Sequence, residues 1–219
     1  MYPEFGQMNK KKVWGYALFF IGLVTVFMFV ISRVTDMFKR STLTERSIVQ
    51  PFLFVNQDGQ TITNADVAGK VYVVNYFFTT CKGICPRMNN NLKSVYEQFK
   101  GNPDFMILSH TCDPETDSVP KMKRYADSMQ VNTQQWAFLT GRKDSLYKMA
   151  RYSYGIDDPK NAVNDIKDDF IHTQFVALVD KNGIVRGQVY DTLKKDEIEK
   201  LKHDIEELLK EQPNNNTAK

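Results

Sequence analysis

Thr79-Thr80-Cys81-Lys82-Gly83-Ile84-Cys85-Pro86 is the stretch around which the rest of the chain is read. The run before it, Val71-Tyr72-Val73-Val74-Asn75-Tyr76-Phe77-Phe78, is continuous enough in apolar residues to be a buried central strand. After it, Met88, Leu92, Val95 and Phe99 recur at helical spacing, and Pro86 suits a first helical position. Two cysteines therefore sit where a strand turns into a helix, beside the helix's positive end. That setting lowers thiol pKa and favours the thiolate, the form that binds metal or attacks a disulfide. A structural disulfide or two inert buried thiols is the plainer alternative, and such cysteines rarely sit at the mouth of a helix.

Working outward, Pro51–Val55 and Thr61–Thr63 flank Asn56-Gln57-Asp58-Gly59, a hairpin signal. After the cysteine turn the pattern predicts a helix to about Lys100, a strand over 105–111 and a helix over 119–130. A short strand at 136–139 and a helix over 144–152 follow. Residues 157–169, rich in aspartate, read as an acidic loop. Phe175–Val179 and Ile184–Val189 surround Asp180-Lys181-Asn182-Gly183, a second hairpin. The last helix, from Lys194 to about Glu211, lines up Ile198, Leu201, Ile205 and Leu208. His203 lies off that face and reads as solvated. Alternating strands and helices closed by an antiparallel pair predict an α/β, thioredoxin-like mixed sheet flanked by helices.

The chain has 219 residues, room for one ordinary domain plus an anchor. Its net charge of +3 is too small and too scattered to argue for nucleic acid. Three cysteines cannot all pair within the chain, which argues against a disulfide-stapled fold. Val13 to Ile31 contains no charged residue and is long enough to cross a bilayer as a helix. Lys10, Lys11 and Lys12 precede it, placing the N-terminus in the cytoplasm. No small-x-small cleavage site follows before Asp36, which favours an uncleaved anchor over a signal peptide. The expected divisions are a cytoplasmic N-terminus at 1–12, a transmembrane helix at 13–32 and a tether at 33–50. A domain at 51–212 and a disordered tail at 213–219 complete the chain. Met8 also reads as a start. The simplest localisation is a bacterial cytoplasmic membrane, crossed once, with the domain in the periplasm.

Taken together, the motifs resemble those of the Sco/SenC family of copper chaperones for cytochrome c oxidase assembly. They are Asn56-Gln57-Asp58-Gly59, Gly69-Lys70-Val71, Phe78 to Pro86, Asp113-Pro114-Glu115-Thr116-Asp117, Leu139-Thr140-Gly141, His172 and Asp180-Lys181-Asn182-Gly183. The set spans roughly residues 50 to 210 in the family's order. The resemblance implies that Cys81, Cys85 and His172 bind one copper ion, Cu(I) and also Cu(II). Soft thiolates suit Cu(I), and an imidazole beside them makes a tolerable Cu(II) site. The implied recipient is the copper-bearing subunit of cytochrome c oxidase, with a copper donor or a thioredoxin-like reductant as further partners. Two positions depart from the family pattern. Lys82 stands where a proline is common, and Cys112 stands where a small apolar residue is usual. His110 and Cys112 point to one side of their strand, so Cys112 is either a third thiol near the site or, the reading preferred, a small buried strand-end residue.

Functions of other classes remain to be weighed. In a thiol–disulfide oxidoreductase, Cys81 would be the nucleophile and Cys85 the resolving thiol, keeping the recipient's cysteines reduced. A peroxidase of the glutathione peroxidase or peroxiredoxin kind shares the expected fold, but the chain lacks their signatures. The acidic loop reads as a solvated surface or a docking site, and its mobility as a control on His172.

Overall fold

The computed structural model describes residues 10–37 and 41–213. The expected cytoplasmic segment therefore lies mostly outside the described residues, as does all of the expected tail but Pro213. The described chain falls into two units. In the first, α1 (Lys10–Met37) is a single helix that overruns the expected span at both ends. Its stretch Lys11–Ile31 has a mean hydropathy of 2.2, and 21 residues at ~1.5 Å each match a hydrocarbon core of about 30 Å. Thr25 donates its hydroxyl back to the Ile21 and Gly22 carbonyls, so the polar side chain in this apolar run is satisfied within the helix.

The second unit is built on an eight-stranded sheet in the order β1-β8-β7-β4-β5-β6-β2-β3. Its strands are β1 (Glu45–Ile48), β2 (Leu53–Asn56), β3 (Thr61–Thr63), β4 (Val71–Phe77), β5 (Phe105–Thr111), β6 (Trp136–Thr140), β7 (Phe175–Val179) and β8 (Ile184–Asp191). Every residue of β4 is buried, as its unbroken apolar run requires. β4 pairs parallel with β5 and antiparallel with β7, and β5 pairs parallel with β6. This is the thioredoxin-like mixed sheet the pattern predicts.

Alternate residues of the strands feed two cores. On one face α3 (Cys85–Phe99), α4 (Val119–Met129) and α6 (Lys195–Lys210) cover Val71, Val73, Ile107, Phe138 and Leu178. The predicted stripe of α6, Ile198, Leu201, Ile205 and Leu208, is buried there, each side chain stabilising by about 1.5–3 kcal/mol. On the other face α2 (Asn64–Val67) and α5 (Lys143–Lys148) cover Tyr72, Val74, Tyr76, Leu108 and Leu139. α5 continues into a π-helical turn, Met149–Ser153. Both predicted hairpins form by the same chemistry. Asn56 Oδ1 accepts from the N–H groups of Asp58 and Gln60, and Asp180 Oδ1 from those of Asn182 and Ile184. Gly59 and Gly183 take the positive φ that each turn needs, 77° and 74°.

One element departs from the expected tether. Residues 45–48 form β1, an edge strand antiparallel to β8, with a bulge between Glu45 and Ser47. The chain before it is also tied. Ser41 N–H donates to the Glu211 carboxylate, Arg186 donates to the Ser41 and Leu43 carbonyls, and Gly187 N–H donates to the Thr44 carbonyl. Glu45-Arg46-Ser47-Ile48 is mostly exposed and shows no alternation. An exposed edge strand held largely by its backbone, with the Ser47 hydroxyl donating to the Ser153 carbonyl, leaves no period in the sequence.

Candidate metal centre

The sheet's topology brings the predicted site residues to one edge. Parallel pairing sets Phe77 opposite Thr111, so the cysteine turn and the Asp113 loop leave the sheet together. β7 runs the other way, with Ala177 opposite Val74, so its first residues lie at that same end. His172, three residues before β7, lies there beside Phe78.

The thiol turn is fixed by its neighbours. The Thr79 N–H and hydroxyl both donate to the buried Asp117 carboxylate, which also accepts from the Thr111 hydroxyl at 2.6 Å. Cys81 N–H donates to the Phe78 carbonyl at 3.2 Å. α3 then begins at Cys85 with Ile84 as its cap residue and no side-chain cap. The Cys81 sulfur fills that role, accepting from the Cys85 N–H at 3.4 Å. The two thiols differ electrically. Partial burial alone would raise the Cys81 pKa, but the Cys85 thiol and the N–H groups of Cys85, Gly83 and Ile84 outweigh it and bring it down. Cys85 is pushed up to about 12 by burial and by the hydrogen bond it gives to Cys81. Cys81 is half-exposed and Cys85 is buried.

Cys112 is the buried strand-end residue. Its sulfur and its N–H both donate to the Phe77 carbonyl, and its side chain packs in the opposite core from Cys85. The N–H of the same peptide, that of Phe78, favours the Cys85 thiolate. Burial pushes the Cys112 thiol far up. His110 faces the same core, stacked on Tyr76 at 5.3 Å and edge-on to Phe54 and Tyr154. Among the described residues neither of its ring nitrogens has a hydrogen-bond partner.

His172 reaches the site from a segment without regular secondary structure whose residues alternate in burial. Asp169 and Ile171 are buried; Phe170 and His172 are exposed. Both outward rings flank Phe78, at 5.2 Å for Phe170 and 6.5 Å for His172. Ile171 N–H donates to the Tyr147 hydroxyl, which donates to the Cys112 carbonyl at 2.8 Å. Among the described residues no three His, Cys, Asp or Glu side chains already stand as a metal cluster. The donor set nonetheless suits copper: a thiolate-favouring Cys81, an adjacent Cys85 and an imidazole at the same sheet edge.

Two neighbours escaped the sequence reading. Tyr125 stacks on Phe77 at 5.1 Å and receives a hydrogen bond from Asn89; burial and then the charges of Cys85 and Cys81 raise its pKa. Arg151 holds both ends of the acidic loop. A half-buried Tyr beside a helix stripe and an Arg among many give no signal of their own. His203 is exposed, as expected.

The fold and this cysteine turn define a thioredoxin-like protein with a soft-metal or redox edge. The chain belongs to the SCO1/SenC family, whose sequence model matches residues 40–210. The SCO1 protein homolog of Bacillus subtilis is 30% identical over 141 residues, 63% of this chain and 70% of that protein. A SCO1/SenC family lipoprotein from Bacillus anthracis superposes with a TM-score of 0.64 at 25% identity, over 78% of this chain and 99% of its own. BsSco, described as a member of the Sco family of cytochrome c oxidase assembly proteins and as carrying a disulfide switch, superposes at 0.63 with 26% identity, covering 78% and 98%. The copper-bound ScoI of Bradyrhizobium japonicum shares the fold, with a TM-score of 0.58 at 21% identity, covering 74% and 100%.

Proposed function

We propose that Cys81, Cys85 and His172 bind one copper ion and that the protein carries it to the copper-bearing subunit of cytochrome c oxidase during assembly. The observation that carries this reading is the thiol pair at the mouth of α3, with Cys81 favoured as thiolate and His172 at the adjoining edge. Copper is cargo here. Cys81, half-exposed, is the group through which it enters and leaves, while the buried Cys85 retains it. Exchange proceeds by ligand substitution, a recipient thiolate replacing one donor at a time. Binding takes up Cu(I), and Cu(II) through the imidazole. α1 anchors the domain, with its lysine-flanked end in the cytoplasm and the domain in the periplasm.

The test is copper competition against chelators by the full-length protein in detergent, alongside Cys81→Ser, Cys85→Ser and His172→Ala. Tight one-to-one binding, lost with either cysteine and weakened without the histidine, is the expected result. Equal affinity in all four proteins would overturn it.

The oxidoreductase reading draws on the opposed thiol pKa values. In that chemistry the Cys81 thiolate attacks a partner disulfide and releases one partner thiolate. Cys85, giving up its proton, then attacks the Cys81 sulfur and releases the second. The partner ends as two thiols, and Cys81–Cys85 as a disulfide for a thioredoxin-like reductant to reopen. Disulfide reduction that needs both cysteines, in a protein without tight copper binding, would make this role primary.

A further inference from the structure

Resting on the copper reading, we infer that Arg151 is a positioning residue for His172, setting the register in which the histidine segment presents its side chains to the thiol turn. Residues 154–174 join the π-helical turn to β7 with only one short 3-10 turn, Pro159–Asn161, between them. A connection of this length is mobile unless something ties it. Its middle is exposed, but its ends are not. Arg151 Nε donates to Asp157 Oδ2 at 2.7 Å, and Nη1 and Nη2 donate to the two Asp169 oxygens at 2.7 and 3.0 Å. One buried guanidinium therefore closes the loop, with side-chain exposures of 6% for Arg151 and 4% for Asp169.

Apolar side chains of similar volume hold a buried segment without desolvating three charges. What the planar fork adds is direction, since it accepts carboxylates only along fixed axes. Direction matters because the segment alternates. Asp169 fixed inward puts Ile171 inward on Tyr147, and so turns Phe170 and His172 outward to Phe78. A slip of one residue would bury His172 and expose Ile171. Tyr147, whose ring lies 5.6 Å from the Arg151 guanidinium, gives the same segment a second hold and ties it to Cys112. The donor histidine is thereby tied to the strand end that flanks the thiols.

The experiment uses the full chain in detergent micelles, comparing wild type, Arg151→Met, Arg151→Lys, His172→Ala and the double variant Arg151→Met/His172→Ala. It reads Cu(I) affinity, the nitrogen hyperfine signal of bound Cu(II), and amide exchange at Ile171 without copper. Arg151→Met is expected to reproduce the His172→Ala loss, to erase or scatter the nitrogen signal and to speed exchange at Ile171. In the His172→Ala background it should change affinity by less than about twofold. Arg151→Lys, which keeps charge but not the fork, should fall between. Wild-type affinity and nitrogen signal in Arg151→Met overturn the inference, as do losses that add in full in the double variant. Should Arg151→Met lose cooperative melting, Asp169→Asn, which removes the carboxylate that the fork holds, makes the same comparison, and wild-type behaviour there overturns it equally. A wild type that binds no copper, or a His172→Ala variant that binds it as tightly, has a different signature and removes the copper reading together with this inference.

Discussion

The thiol turn and the histidine segment lie at the same end of the sheet but are held differently. The thiol turn is closed by bonds within it, Cys81 to Phe78 and Cys85 to Cys81, and is anchored at its start by Thr79 on the buried Asp117. The histidine segment is held from behind by Arg151 and Tyr147, on an element that precedes it by some twenty residues. The His172 ring lies tilted beside Phe78, 6.5 Å between centroids. The thiol half is therefore held by its own turn, and the histidine half is a segment tied from behind whose Phe170 and His172 side chains are exposed. Affinity should reside in the first half and control in the second.

The strongest way to break this comparison is to remove single donors. Cys81→Ser or Cys85→Ser should abolish tight Cu(I) binding. His172→Ala should keep binding but weaken it by more than the ~10–100-fold typical of an outer-shell partner. Chelator competition reads both, and equal losses would erase the distinction.

Next in size is Asp117→Ala. It removes the buried carboxylate that accepts from three donors, those of Thr79 and Thr111, leaves them unpaired, and should cost about 3 kcal/mol in urea unfolding. Stability within ~0.5 kcal/mol of wild type would mean that the turn does not depend on that anchor.

The sheet beneath gives a pH test. Burial lowers the His110 pKa from 6.5 to about 3, so between these values the unfolded chain holds a proton that the folded chain refuses. This contribution is complete above pH 6.5 and declines on acidification, by about 1.4 kcal/mol per pH unit. Groups facing the ring are Phe54, Tyr76 and Tyr154, none of them charged. His110→Phe should flatten that part of the stability curve, and an unchanged slope would exclude His110 as its source. The smallest effect is expected at Phe170, which is 47% exposed. Phe170→Ser should shift stability by no more than ~0.5 kcal/mol, and a larger loss would show that the histidine segment leans on Phe78 for its stability.

What could be read directly from the chain was whatever local pattern dictates. The apolar run of β4, the helical spacing after Pro86 and the two Asx-type hairpins announce themselves because period and turn chemistry act within a few residues. They placed Cys81 and Cys85 at a helix mouth, where the structure has them. β1 was illegible because an exposed edge strand is recruited by the open backbone of β8, and its own side chains need no pattern. Cys112 could be placed on a face but not beside or apart from Cys85, since that turns on which of the two cores each side chain enters.

The sequence by itself determined the strand–turn–helix that carries the thiols, the two-faced sheet and the apolar helix α1, because these follow from short-range periodicity. Tertiary structure alone decided the rest. It split the two thiol pKa values through burial of Cys85, the bond between the thiols and the amides around Cys81, turned Cys112 into the core and drew Asp157 and Asp169 onto Arg151. Each of these depends on groups distant in sequence meeting at bonding distance, and that is settled only when the whole sheet closes over both cores.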